Sequence, residues 1–90
     1  MTTNAEVPHN PITGTIYQGM NATALAAASD CKEWATFIQW KAVGYNVKKG
    51  EHGEKIHAFP EVERRDENGR IHKGRAPRSY TVFNREQVAQ

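Results

Sequence analysis

The dipeptide Asn68-Gly69 constrains the fold of this chain more than any other feature, because Asn-Gly is the strongest short signal for a β-hairpin. Residues 54–65 before it read as an extended segment, and residues 71–78 after it return. The run "SYTVF" at 79–83 then alternates like a strand. The second half of the chain therefore predicts an antiparallel sheet with a hairpin that protrudes at 66–70.

The first half predicts helices. Residues 21–29 are rich in alanine, and Asn21 is a suitable N-cap. Residues 15–19, just before them, are typical of a short strand. Residues 36–44 form a second helix whose start is marked by a capping box. The chain thus predicts an α+β fold.

The capping box of this second helix is Thr36 with Gln39, and Gly44 stands where a helix often ends. The helical spacing of Phe37, Trp40 and Val43 or Gly44 predicts that these residues face the core. Trp34 and Trp40 are both expected to be core residues in so small a domain. A second capping box, Asn84 with Gln87, predicts a helical turn over 84–90.

With 90 residues the chain is one small domain, in which short helices pack on a curved antiparallel sheet. Residues 1–9 are polar and aperiodic and predict a flexible arm, which leaves 10–90 as the domain. A single cysteine, Cys31, fits a reducing, cytoplasmic setting. No apolar run is long enough to span a membrane, and the N-terminus does not read as a signal peptide.

The residue pattern indicates neither catalysis nor metal binding. The four histidines match no zinc spacing, and Cys31 shows no sign of an activated nucleophile. We therefore expect no enzymatic activity, no metal and no cofactor.

The distribution of charge and of aromatic residues indicates a different function. Residues 1–40 carry one Lys against three acidic residues, whereas residues 41–78 carry ten Lys/Arg against six. A basic half with interleaved aromatic residues is typical of a surface for single-stranded nucleic acid, although a solvated surface of mixed charge has the same composition. On the strand at 79–83, alternation places Arg78, Tyr80 and Val82 on one face. Val82 reads as core, whereas Arg78 and Tyr80 fit a phosphate contact beside a stacking side chain.

The loop "NVKKGEHGEKI" at 46–56 has cations on both sides of two glycines. Such a loop suits an anion, because glycine allows positive φ and exposes backbone N–H groups. It equally suits a solvated turn, and it is not a P-loop, since its lysines precede the first glycine.

Four ordered blocks of the sequence closely resemble the N-terminal domain of the ArdC-like antirestriction proteins. They are "NPITGTIYQGMN" at 10–21, "WATFIQ" at 34–39, "VGYNVKKGEHG" at 43–53 and "YTVFNREQV" at 80–88. The resemblance covers about residues 8–90. Trp40 departs from it, since a small residue is common at that position, and "SDCKEW" at 29–34 replaces a longer loop.

The resemblance implies a domain of mobile elements, phage or plasmid, that binds single-stranded DNA with little sequence preference. Longer members continue into a metalloprotease-like domain, so the present chain is expected to be a stand-alone binding module with an antirestriction role. In this reading Glu51 ties the turn, and the lysines of the loop contact the DNA backbone. The candidate DNA-binding residues are Tyr17, Lys48, Lys49, Lys55, His57, Phe59, Arg64, Arg65, Arg78 and Tyr80.

Two alternatives stay open at this point. The first is an anti-defence protein that binds a host nuclease or a CRISPR component directly. The second is a remnant of a nuclease or protease, against which the absent catalytic residues argue.

Overall fold

The computed structural model of the protein describes residues 7–90. The elements are α1 (Gly19–Ala28), β1 (Trp34–Thr36), α2 (Phe37–Ala42), β2 (Asn46–Val47), β3 (Glu54–Ala58), β4 (Glu61–Arg65), β5 (Ile71–Arg75), β6 (Arg78–Asn84) and β7 (Val88–Ala89), with a 3-10 turn at Arg85–Gln87 between the last two strands.

A three-stranded antiparallel sheet in the order β1-β6-β3 forms the centre of the fold. Thr36 of β1 pairs with Val82 of β6, and Ile56 of β3 pairs with Tyr80. Strands β2 and β7 form a second small ladder, and β4 with β5 form the hairpin. The predicted α+β class, with two helices, an antiparallel sheet and a protruding hairpin, is confirmed.

Two hydrophobic clusters stabilise the sheet. The first joins Leu25 of α1 to Trp34, Ile56 and Val82, and the half-buried Tyr17 packs against it. Because each fully buried large apolar side chain contributes about 1.5–3 kcal/mol, these residues fix α1 on the sheet. The second cluster contains Ala35, Trp40 and Val88. Trp34 and Trp40 are 1% and 3% exposed, which confirms both as core residues.

Helix α2 begins as its sequence predicts but buries less than expected. The Thr36 hydroxyl accepts from the Gln39 backbone N–H at 3.2 Å, and the Gln39 side chain accepts from the Thr36 N–H at 3.0 Å. Trp40 is buried, and its indole Nε1 donates to the Phe83 carbonyl at 2.7 Å. The prediction that Phe37 and Val43 face the core is wrong, since they are 48% and 46% exposed. A helix of six residues is under two turns long, and Trp40 alone is buried from it.

The segment before α1 differs from the prediction. The expected strand at 15–19 is reduced to one isolated bridge between Ile16 and His9, because α1 already begins at Gly19. The N-cap is Gln18, with no side-chain bond to the helix, and Asn21 lies inside the first turn. Asn21 is therefore not a cap, and its amide contacts β3 instead.

The predicted arm at 1–9 falls partly outside the described residues, which exclude 1–6. Its last residues are not a free arm. His9 is 8% exposed, and its backbone N–H donates to the Lys32 carbonyl at 2.8 Å. The His9 carbonyl accepts from the Trp34 N–H at 2.9 Å, which attaches this segment to the outer side of β1.

The hairpin forms where Asn68-Gly69 predicts it, with a wider loop than a two-residue turn. The Gly69 N–H donates to the Asp66 carbonyl at 3.0 Å, and Gly69 has a φ of 78°. A type I turn followed by a glycine of positive φ is the usual geometry of a three-residue hairpin loop. The hairpin adds to the elongated dimensions of the molecule, 49 × 32 × 22 Å.

The C-terminal turn also ends differently from the prediction. The Asn84–Gln87 capping box is present, but it caps only the 3-10 turn. Val88 lies in the second core cluster as part of β7. The chain is therefore extended after the 3-10 turn and does not continue as a helix. Within residues 7–90, no helix is both long and apolar enough to cross a membrane.

Candidate nucleic-acid interface

An open groove of about 980 Å³ contains Tyr80 and lies next to the point where β1 ends and β6 continues. Its sides come from three parts of the chain: the segment 10–18, the start of α2 and Asn21 of α1. Its remaining residues come from β3 and β6. The groove therefore joins segments that are far apart in the sequence.

Tyr80 lies in this groove with its side chain 41% exposed. Residues paired across an antiparallel ladder share a face, so Tyr80 lies beside Ile56 on the same face as Val82. Ile56 and Val82 are buried under α1, whereas Tyr80 is not covered. The sheet thus holds the Tyr80 ring at the boundary between the core and solvent.

Hydrophobic side chains are concentrated in this groove. Eight large hydrophobic residues are exposed in the described part of the chain, and four of them line it: Ile16, Phe37, Ile38 and Tyr80. No Asp, Glu, Lys or Arg is among the described residues that line it, although the chain has 12 Lys/Arg and 10 Asp/Glu. The groove is therefore largely hydrophobic and partly aromatic, and His57 is the one histidine among its described lining residues.

One side of the groove is fixed by Asn10, which is 3% exposed. Its Oδ1 accepts from the backbone N–H groups of Ile12 and Thr13 at 2.9 and 3.1 Å. Its Nδ2 donates to Gln39 Oε1 at 2.8 Å. Asn10 therefore shapes the turn at 10–14 and attaches it to α2.

Tyr17 has its hydroxyl inside this network. The hydroxyl donates to the Trp34 carbonyl at 3.2 Å and accepts from Asn10 at 3.4 Å. Burial raises the pKa of Tyr17 above its usual value, and the hydrogen bond from Asn10 offsets part of that rise. Tyr17 lines the groove with its hydroxyl already engaged, which makes it a fixed wall.

Arg78 lies next to the groove on the face of Tyr80. It pairs with Ala58, a groove residue, and its side chain is exposed. The guanidinium donates to the carbonyl of the adjacent Pro77 at 3.0 Å and makes no ion pair within residues 7–90. A cation is thus available beside a groove that has none of its own.

The other candidate residues are divided among several places. His57 borders the groove, but the alternation of β3 directs the side chains of Lys55 and His57 to the opposite face of the sheet from Tyr80. Phe59 is 61% exposed at the junction between β3 and the hairpin. Arg64 and Arg65 lie exposed on β4. The structure therefore brings together Tyr17, Tyr80 and Arg78, with His57 at the border.

Lys48 and Lys49 lie in the loop at the β2–β7 end of the molecule. The Glu51 N–H donates to the Lys48 carbonyl at 3.2 Å, and Gly50 has a φ of 86°, as in a hydrogen-bonded turn. Lys48 Nζ donates to the Glu86 carbonyl at 3.0 Å, whereas the Lys49 side chain is exposed. The loop has the geometry of a turn, with exposed cationic side chains at its start.

The remaining residues of that loop have structural roles. Gln87 Nε2 donates to Glu51 Oε1 at 3.2 Å and to the His52 carbonyl at 2.8 Å, so Glu51 does tie the turn. Gly53 is required for a different reason, since a Cβ there would lie 2.5 Å from Thr81 Cγ2 and 2.6 Å from the Val82 carbonyl oxygen. Close approach to β6 therefore excludes a side chain at position 53.

The sequence reasoning missed Ile16, Phe37 and Ile38 as residues of the candidate site. Phe37 was assigned to the core by its spacing from Trp40. Ile38 carried the available signal, because it is about 200° around the helix from Trp40 and is nevertheless apolar. Exposed Ile16, Phe37 and Tyr80 line the same groove as Ile38, and an exposed apolar patch of this kind indicates a contact surface.

No group of three or more His, Cys, Asp or Glu side chains within the described range 7–90 is placed to hold a metal ion.

The fold is a small α+β domain with an open hydrophobic groove beside its central sheet. Residues 1–83 match the family described as the N-terminal domain of anti-restriction factor ArdC, and the chain belongs to this family.

Two solved structures and one curated relative are similar. The metal-free crystal structure of the antirestriction protein ArdC from the R388 plasmid is 35% identical, has a TM-score of 0.78 and matches 92% of this chain. Its Mn(II)-bound structure is 29% identical, has a TM-score of 0.72 and matches 94% of this chain. The DNA primase TraC of Escherichia coli is 38% identical over 104 residues, which covers 94% of this chain.

The matched region is a small part of each relative. The chain spans 32% and 35% of the two ArdC chains and 7% of the primase.

Proposed function

We propose that the chain binds single-stranded DNA with little dependence on sequence, and that it serves the antirestriction role of a plasmid or phage in the bacterial cytoplasm. The observation that carries this proposal is the exposed ring of Tyr80 in a largely hydrophobic groove, with Arg78 two residues away on the same face. Sequence-tolerant binding of single strands combines aromatic side chains that stack on bases with cations that contact the backbone.

The relatives support a DNA ligand. One is named as a DNA primase, and the other is an antirestriction protein of a plasmid. The role proposed for this chain is binding and not catalysis. Ser79 Oγ and His57 Nδ1 lie 3.3 Å apart in the groove, but no Asp or Glu among its described residues accompanies this pair as an acid.

Direct binding of a host nuclease or CRISPR component is the second candidate. Exposed Ile16 and Ile38 favour it, since hydrophobic side chains in a groove also suit a protein partner. Lys48, Lys49, Lys55, Arg64 and Arg65 stay predicted phosphate contacts, for a strand that extends beyond the groove.

The test is a fluorescence anisotropy titration at one salt concentration with labelled oligo(dT), a mixed-sequence single strand and the corresponding duplex. Stacking needs unpaired bases, so both single strands should bind at least about tenfold more tightly than the duplex. Equal affinity for single and double strands would reduce the interaction to charge attraction. Absence of binding to all three would reject the DNA proposal and favour the protein partner.

A further inference from the structure

We infer that the groove is a slot for unpaired bases, that Phe37 and Ile38 contact those bases together with Tyr80, and that the phosphates stay outside it beside Arg78. This inference rests on the proposed single-stranded DNA binding and specifies which part of the DNA enters the site.

The charges of the groove and of DNA decide the orientation. Each nucleotide has a neutral base and an anionic phosphate, and transfer of an unpaired charge to an apolar environment is strongly unfavourable. The described residues of the groove include no Lys or Arg to neutralise a phosphate. Arg78, at its end, is exposed and makes no ion pair within residues 7–90. The neutral part of the strand therefore suits the groove, and the charged part suits its rim.

The sheet register places Phe37 and Ile38 near Tyr80. Thr36 pairs with Val82, so a continued β1 would bring the residues after Thr36 alongside Thr81 and Tyr80. The chain turns into α2 at this point, and Phe37 and Ile38 line the same groove as Tyr80. The start of α2 and Tyr80 therefore border the same groove.

The walls are held in place without a ligand. Asn10 attaches the segment 10–14 to Gln39 on one side. Asn21 attaches α1 to the backbone of His57 on the other, with bonds of 2.7 and 2.9 Å. A preformed site loses less conformational entropy when it binds a ligand that fits it.

Part of the two outer sheet edges, where an extended peptide could bind, is already covered. A peptide that adds a strand to a sheet needs free backbone groups on an edge. Asn21 already occupies both backbone groups of His57 on the outer edge of β3. The Trp34 N–H on the outer edge of β1 is taken by the His9 carbonyl. Within residues 7–90, the edge of β6 at 79–81 is free, because β1 ends at Thr36, and it lies beside the groove. A peptide strand is therefore the alternative occupant, which absence of binding to oligo(dT) would favour.

The experiment measures the affinity of the full chain for oligo(dT) and for the same oligonucleotide with abasic residues in its central positions, which keeps every phosphate. Loss of base stacking should weaken binding of the unmodified protein about tenfold or more. Phe37→Ala and Ile38→Ala should weaken oligo(dT) binding, by about tenfold for Phe37, and change binding of the abasic strand less than about twofold. Arg78→Gln, the matched control, should weaken binding of both strands alike.

Equal binding of the two strands by the unmodified protein would overturn the inference. It would also be overturned if the Phe37 and Ile38 variants lost affinity equally for both strands. Ile38 is 78% exposed, so its variant decides the question if Phe37→Ala fails to fold. If the protein prefers single strands to duplex but binds abasic DNA as well as oligo(dT), the proposed function would be supported and the inferred base slot would be rejected. Absence of binding to oligo(dT) would reject both.

Discussion

The side-chain amide of Asn21 pairs with both backbone groups of His57. Its Nδ2 donates to the His57 carbonyl at 2.7 Å, and its Oδ1 accepts from the His57 N–H at 2.9 Å. Strand β3 is an edge of the central sheet, and these are the bonds that a further strand would make. A helical side chain thus replaces a neighbouring strand at this point, which explains an asparagine inside a helix rich in alanine.

Replacement of Asn21 by alanine should destabilise the protein by about 1 kcal/mol, because two hydrogen bonds are lost. The sign of this change in stability is informative. Alanine is the better helix former, so it would stabilise the protein if Asn21 made no contact outside its helix. Urea unfolding measures the difference. Thr23→Ala in the same helix is the control and should change stability little. A stabilised Asn21→Ala variant would contradict the proposed role of the pair.

Gly53→Ala should destabilise the protein by about 1–3 kcal/mol, in the range of an overpacked core. The new Cβ would lie 2.6 Å from the Val82 carbonyl, a backbone atom that cannot move without distorting β6. Gly74→Ala on β5 is the matched control, because a Cβ at that position would extend into open space, with no atom of another segment within 4 Å. Thermal unfolding of the two variants should separate them. Similar melting temperatures would show that the loop adjusts freely.

Local signals in the sequence predicted much of the fold. The Thr36–Gln39 and Asn84–Gln87 capping boxes and the Asn68-Gly69 turn all form where they are read, because each depends on residues no more than three positions apart. The resemblance to the ArdC-like proteins predicts the family of the chain, and the comparisons confirm this prediction.

The sequence did not predict features that depend on distant partners. Trp34–Thr36 was not recognised as a strand, because three residues show no periodicity and their partner is β6, nearly fifty positions away. Asn21 was read as a cap, because its contact with His57 is invisible to local patterns. Phe37 was read as core for the same reason, and the groove joins residues from five separate segments. Lys48 and Lys49 are candidates by residue type alone, and the tertiary structure places them away from the groove that contains Tyr80.

Tyr80→Ala should weaken binding of single-stranded DNA by about 1–3 kcal/mol and leave the protein folded. The ring is 41% exposed, so its removal opens no closed cavity in the core. Fluorescence anisotropy measures the affinity, and circular dichroism checks the fold. Tyr80→Phe, which keeps the ring, is the control and should bind nearly as well as the unmodified protein. An unfolded alanine variant would instead make Tyr80 a core residue, and stacking would then be sought at Tyr17 or Phe59.

The turn of the hairpin should respond to acid through Asp66. The hydrogen bond from His72, at 2.7 Å, is the main cause that lowers the pKa of Asp66 below its ordinary value of 3.8, and the backbone N–H groups of Arg70 and Asn68 add to it. A carboxyl with a depressed pKa stabilises the folded turn above its unfolded pKa, and this effect is lost as the pH falls through the folded pKa.

An NMR titration of the Asp66 carboxyl carbon measures this prediction. The pKa should lie below 3.8 in the unmodified protein and rise toward that value in His72→Ala. If the pKa of Asp66 is the same in His72→Ala, the backbone N–H groups alone lower it.

Replacement of both Lys48 and Lys49 by glutamine tests whether DNA extends from the groove to the β2–β7 end. Each phosphate contact on a single strand contributes about −0.7 to the slope of log K against log salt, so loss of two contacts should make the slope shallower by about 1 to 1.5 units. The affinity should fall alike for oligo(dT) and mixed sequences, because phosphate contacts do not read bases. Thermal stability should hardly change, since exposed lysines contribute little to folding.

The matched control is Lys32→Gln with Lys41→Gln, which removes the same charge from positions outside the candidate site. A direct contact changes the slope only in the Lys48/Lys49 variant, whereas equal changes in both variants would indicate long-range attraction by the net charge. If the Lys48/Lys49 variant keeps both its affinity and its slope, the loop is a solvated turn. The phosphates would then be held from the Arg78 side, and the bound strand would end within the groove.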